Sequence, residues 1–205
     1  MKKYILMLTI AGLGLSAIAK NPAKKAIGET YKMDIAASTF NWHATKVTGE
    51  HKGLVKYSSG TIKLSGSNLA GSEIIMDMTT IDDLDMTGEY HDKLVGHLKS
   101  EDFFSVEKNK TATLKVKSST AIAGAASGTN NYYVVADLSI KGITKEIKFP
   151  AMLTVEKGQI TVLADFDINR TLYDIKYGSK TFFENIGDKA ISDNFNVKVR
   201  VIANK

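Results

Sequence analysis

His43, His51, His91 and His97 are the side chains whose charge is most easily switched near neutral pH, and they could serve as acid–base groups or metal ligands. Their spacing favours neither role. His43 falls on the polar side of an alternating segment. His91 and His97 stand six apart on a helical stretch, so they face different directions instead of pairing as i, i+4 ligands. All four read as surface or hydrogen-bonded structural histidines, with no metal site. Asp83-x-Asp85-x-Thr87-Gly88 begins like a calcium loop, but its twelfth position, where a bidentate glutamate is needed, is Leu94. An acidic turn leading into a helix N-terminus accounts for it better. Asp165 and Asp167 alternate along the polar face of a strand, without the pocket that would push two carboxyl pKa values apart. No G-x-S-x-G elbow or glycine-rich phosphate loop is present. Zero cysteines removes thiolate metal sites, cysteine nucleophiles, disulfides and a lipid-modified N-terminal cysteine. The reading is of a non-catalytic protein without a cofactor.

The 205 residues fit one domain and carry 27 Lys+Arg against 22 Asp+Glu, a formal charge of +5. Such a surplus hints at an anionic partner, but residues 1–19 undo much of it. Met1-Lys2-Lys3, the uncharged stretch Tyr4–Ala19 and the A-x-A site Ala17-Ile18-Ala19 read as a secretory signal peptide. Tyr4–Ala19 falls short of the ~20 apolar residues of a membrane anchor. Cleavage would take away two lysines and no acid. Lys63, Lys115, Lys117 and Lys198 alternate along outward faces among acids, unlike an aromatic-interleaved nucleic-acid stripe. Nucleic acid is therefore not an expected partner, and no later segment is apolar enough to span a bilayer as a helix.

The elements that would position any site are strands. Residues 20–30 read as a flexible lead-in, and the domain as 31–205. Windows 39–45, 112–116, 132–140, 160–168 and 195–201 each carry apolar residues at every second position, the mark of antiparallel sheet with one buried face. Less regular strands fill 50–57, 61–65, 72–80, 145–155 and 173–177, with Ser58-Ser59-Gly60 read as a turn and Ser118–Asn131 as a mobile hairpin loop. Gly88–Leu98 is helical: Tyr90, Leu94 and Leu98 recur every four residues, Glu89 precedes Lys93 by four, and Thr87 can cap the first turn. A turn begun by Ser100 would deliver Phe103-Phe104 toward the sheet. Eight or more one-sided strands with one or two short helices predict an all-β, closed antiparallel barrel. An outer-membrane barrel would need longer strands and paired aromatic girdles, which are not visible.

The segment His97-Leu98-Lys99-Ser100-Glu101-Asp102-Phe103-Phe104-Ser105-Val106-Glu107-Lys108 resembles the helix-to-strand signature of the YceI-like family of exported lipocalin-like proteins. Around it, in the family's order, stand Thr39–Trp42 with Gly49-Glu50-His51-Lys52-Gly53, Ile75–Ile81, Leu138–Lys145, and Asn169-Arg170-Thr171 through Tyr177. The similarity covers about residues 31–203. Asp174 departs from a common glycine, and Lys108-Asn109-Lys110 lacks a common proline. The resemblance implies an eight-stranded, lipocalin-like antiparallel barrel in the bacterial periplasm, holding a polyisoprenoid, an isoprenoid quinone or another lipid in an apolar tunnel. The expected ligand-binding residues are Phe40, Trp42, Val55, Ile74, Met76, Met78, Leu94, Leu98, Phe103, Phe104, Leu114, Val116, Leu138, Ile140, Phe166 and Ile168. Periodicity alone leaves open whether such a barrel is hollow or filled by its own side chains. The alternative is an enzyme acting on a small hydrophobic substrate within the barrel, with His51 or Tyr57 as acid–base group. Oligomeric state is left open, a homodimer among the options.

Overall fold

Strict alternation of apolar side chains commits most of this chain to sheet, and the structure, a computed structural model, describes it over residues 28–205. The expected leader and the lead-in up to residue 27 lie outside the described residues. The strands are β1 (Glu29–Met33), β2 (Thr39–Lys46), β3 (Gly49–Ser65), β4 (Asn68–Leu69), β5 (Glu73–Asp83), β6 (Thr111–Ala121), β7 (Tyr132–Ile140), β8 (Ile143–Glu156), β9 (Gln159–Asn169) and β10 (Ile191–Asn204). One helix, α1 (Gly88–Lys99), and two 3-10 turns, Arg170–Tyr173 and Gly187–Lys189, interrupt them.

Every pairing is antiparallel. β2, β3, β5, β6, β7, β8, β9 and β10 follow one another around the ring, and β10 pairs with both β9 and β2, which closes an eight-stranded barrel. Closure leaves no long edge open to another chain. β1 lies outside this ring order and pairs with the far halves of β3 and β10, while β4 pairs with β3. The alternating residues of the five regular windows point inward as expected, from Trp42 on β2 to Val197 and Val201 on β10.

Several expectations need correction. Ser58-Ser59-Gly60 is no turn: β3 is one 17-residue strand through it. The register against β5 shifts between Tyr57 and Ser59, and β3 changes partner from β2 to β1 beyond it. Glycine suits position 60 because there is no room for a side chain: Met33 of β1 packs where a Cβ would stand. A bulge with small residues and a turn with small residues look alike in sequence. The lead-in ends sooner than expected, since Glu29 and Thr30 pair with Leu64 and Lys63. Residues 173–177 are not a strand: Tyr173 ends the 3-10 turn Arg170–Tyr173, and Asp174–Tyr177 follow it. Ser118–Ala121 belongs to β6, so the hairpin loop is shorter, and Asn131 pins its end by exchanging two hydrogen bonds with the Leu153 backbone (2.7 and 2.9 Å).

Helix α1 forms where its pattern places it, with Glu89 and Lys93 paired at 2.6 Å. Its apolar stripe is narrower than expected. Leu98 is buried and Leu94 half-buried, but Tyr90 is 71% exposed. Thr87 is the N-cap residue, yet its side chain makes no capping bond. The turn after α1 does bring Phe103 inward, held by Phe103 N–H to Ser100 O (3.2 Å) and Ser105 N–H to Ser100 O (2.7 Å).

Gly53 marks the tightest contact between backbone and core. A Cβ there would collide with the Asp82 carbonyl oxygen on β5 and with the Trp42 indole on β2. Gly53→Ala is therefore expected to destabilise the protein toward the upper end of the ~1–3 kcal/mol typical of overpacking. A urea midpoint within error of wild type would show that the strands can part at no cost.

Candidate functional site

Inward-facing side chains from all eight ring strands converge on the barrel axis without meeting there. They leave a cavity of about 140 Å³ for the centres of water-sized atoms, where one water needs about 10–15 Å³. The barrel is hollow, which answers the question periodicity left open. Met76 and Met78 on β5, Leu114 and Val116 on β6, Leu138 on β7 and Phe149 on β8 share the lining, and Phe149 stacks on Phe166 of β9 with ring centroids 4.2 Å apart. From Ile74 to Ile81, β5 lines the cavity for roughly 23 Å at ~3.3 Å per residue, so the space is elongated. One end is bounded by Ile62 and Leu69, the other by Leu98, Phe103, Phe104, Arg170 and Ile175.

Each residue expected in the tunnel lines this cavity except Leu94. Leu94 instead packs half-buried against the core, one turn before Leu98 on α1. The expected set left out about half of the lining, among it Ile62 on β3, Leu69 on β4, Ile81 on β5, Phe149 on β8 and Ile175, and Arg170 was noted only within a family-like segment, not as part of the tunnel. A lone arginine following a β-strand carries no distinctive periodic signal.

The polar atoms along this wall are almost all occupied. Tyr57 donates its hydroxyl to Thr39 O at 3.2 Å, and burial pushes its phenol far above the ordinary range, so it stays neutral. Ser72 Oγ accepts from Lys63 N at 2.8 Å, and Ser192 Oγ accepts from Asn194 N at 3.2 Å. The buried Arg170 guanidinium donates through Nε to Ser192 O (2.9 Å), through Nη1 to Ile175 O (2.8 Å) and Tyr177 O (2.7 Å), and through Nη2 to Ile191 O (3.1 Å). Trp42 is the exception. Its Nε1 is buried and has no acceptor among the described residues.

The remaining candidates lie elsewhere. His43 pairs with Glu50 at 3.0 Å on the surface, and His91 lies between Asp82 (2.8 Å) and Asp92 (3.0 Å), whose hydrogen bonds, Asp92 first, raise its pKa. His97 packs edge-on against Phe103 and Tyr177 with centroids 4.9 and 4.5 Å away. His51 does not line the cavity; it meets Asp85 at 3.0 Å at one end of β3. Asp165 and Asp167 both accept from Asn196 Nδ2, at 2.9 and 3.0 Å, on the outer face. Among the described residues no helix is long and apolar enough to cross a membrane.

A closed antiparallel barrel with an elongated apolar lumen, capped by one helix, defines a lipocalin-like binding architecture. Residues 31–203 match the YceI-like domain family, and the chain belongs to it. The fold is shared with crystal structures of BcnA from Burkholderia cenocepacia (20% identity, TM-score 0.66, covering 83% of this chain and 99% of that one). It is shared too with a polyisoprenoid binding domain from Saccharophagus degradans implicated in plant cell wall breakdown (17% identity, TM-score 0.60, covering 85% and 97%). A third is the Campylobacter jejuni YceI protein (17% identity, TM-score 0.53, covering 100% and 99%). Among curated proteins none matches.

Proposed function

We propose that this protein is an exported, non-catalytic carrier that holds one long apolar chain, a polyisoprenoid, an isoprenoid quinone or another lipid, in its barrel. The observation that carries this reading is the wall of the lumen: an elongated apolar cavity whose polar side chains, Trp42 apart, are already bonded to the protein. Such a wall has little to offer a polar substrate and no free acid–base group among the described residues. What it offers a chain lipid is desolvation, about 0.8 kcal/mol per buried methylene. The polyisoprenoid binding domain from Saccharophagus degradans has the same fold, which supports the ligand class. The leader Met1–Ala19 supports export to the periplasm, and the absence of cysteine argues against a lipid anchor.

Trp42 is the only tryptophan and lines the lumen, so its fluorescence reports on occupancy. A quinone with a long isoprenoid tail is expected to change that emission saturably, and the same quinone without its tail is not. Organic extraction of the purified protein should release a chain lipid detectable by mass spectrometry. If extraction yields none and tailed and tail-less quinones act alike, the carrier reading is wrong.

A further inference from the structure

Away from the lumen, where β5 ends and the chain turns toward α1, His51, Asp83 and Asp85 bring one ligand-type atom each to within 4.8 Å of one another. Acidic turns are common, and two carboxylates beside a histidine would mean little alone. What distinguishes this one is Asp83. Its side chain is 0% exposed, and its Oδ2 has no hydrogen-bond partner among the described residues. A buried carboxylate oxygen left unpaired is costly, and it calls for a cation or a proton. That oxygen lies 4.0 Å from His51 Nδ1, which lies 3.0 Å from Asp85 Oδ2.

The three atoms are held in place from behind. Asp83 Oδ1 accepts from the amides of Met86 (2.7 Å) and Asp85 (3.2 Å), which leaves Oδ2 turned toward the histidine. Asp85 Oδ1 accepts from the Lys52 amide at 2.7 Å, leaving its own Oδ2 for the same space. Metal-binding carboxylates are commonly fixed in this way through their other oxygen. Bonds of about 2.0–2.2 Å to nitrogen and oxygen in a tetrahedral set place ligand atoms roughly 3.3–3.5 Å apart. The separations of 3.0 and 4.0 Å straddle that value and all three atoms lie within 4.8 Å of one another, so side-chain rotations without backbone movement would bring them into range. One imidazole with two carboxylates suits a borderline first-row cation better than calcium or magnesium, which want a shell of oxygens. A divalent ion would also neutralise the pair of carboxylates.

We propose that His51, Asp83 and Asp85 form a binding site for a divalent first-row transition-metal ion, Zn²⁺ or a close analogue, with a fourth position open to water. The histidine comes from β3 and the carboxylates from the end of β5 and the turn beyond it. The ion would therefore clamp the strand to the turn that launches α1, whose last turn reaches the lumen through Leu98. The EF-hand-like spacing of Asp83 and Asp85 is thus met by a histidine from a distant strand, not by a glutamate at its twelfth position.

The test is titration of the purified, chelator-treated full chain with Zn²⁺ by calorimetry, and with Co²⁺ by visible absorption. The wild type should bind one ion per chain, with Co²⁺ giving the intense visible bands of a tetrahedral site. His51→Ala and Asp85→Asn should each weaken binding at least about tenfold. At free Zn²⁺ about a hundred times the Kd, the wild-type unfolding midpoint should rise about 5–10 °C, and that of His51→Ala should not. Asp83→Asn is the more direct variant but risks misfolding, so the two exposed-side ligands and the thermal shift carry the decision. His91→Ala should bind as wild type does. Unchanged affinity in His51→Ala, loss of binding only in His91→Ala, or no bound ion in the wild type would each overturn the proposal.

Discussion

Arg170→Ala is expected to destabilise the protein by about 3–5 kcal/mol, as for removal of one partner from a buried charged network. The guanidinium ties the backbone carbonyls of Ile175 and Tyr177 to those of Ile191 and Ser192, two stretches of chain that meet at one end of the barrel. Burial lowers its pKa, while Asp193, 3.7 Å away, acts in the opposite direction. An arginine nevertheless stays charged in a protein. Its removal strands several buried carbonyls, each costing about 1–3 kcal/mol when unsatisfied, with less than additive effect. Arg170→Lys should recover little, since a single ammonium cannot serve carbonyls on both sides as the planar fork does. The measurement is the urea midpoint at unchanged slope. A loss under 1 kcal/mol would mean that water replaces the guanidinium at this end of the barrel, which would then be open.

Ala112→Phe separates the cavity from the core that surrounds it. Ala112 lines the lumen opposite Met76 across the β5–β6 pair, and methionine can yield to a new ring. The lumen has room where a packed core has none, so the variant is expected to fold with an unfolding midpoint equal to or above that of the wild type, as cavity-filling changes often do. Occupancy by a co-purified chain lipid, measured by native mass spectrometry, should fall at least tenfold. Retained occupancy in a folded variant would place the lipid outside the barrel, and the carrier proposal would have to move with it. Strong destabilisation with unchanged occupancy would mean that Ala112 is tightly packed core.

The architecture was legible in the sequence to the extent that one physical rule governed it. Where a strand has one face in the barrel and one in water, side chains alternate, and β2, β6, β7, β9 and β10 were all readable for that reason. The rule failed where small residues bend a strand without ending it. Ser58-Ser59-Gly60 carries turn composition, yet β3 passes through it and carries Ile62 on to one end of the lumen. Helical spacing likewise identified α1 but not which side of it would be covered. Leu94 and Tyr90 share the stripe of Leu98, but only Leu98 reaches the cavity.

What the sequence by itself determined was a one-sided antiparallel barrel without thiol chemistry and about half of the apolar lining of its tunnel. Those properties are local: each depends on residue type and on positions two or four apart. Whether the inward residues fill the barrel depends on the distance across it, set by strand number and stagger. That Trp42 keeps a free N–H, that Arg170 closes one end, and that His51 meets a buried, unpaired Asp83 are contacts between residues far apart in the chain. Only the tertiary structure brings such groups within bonding distance, and only there can their partners be counted.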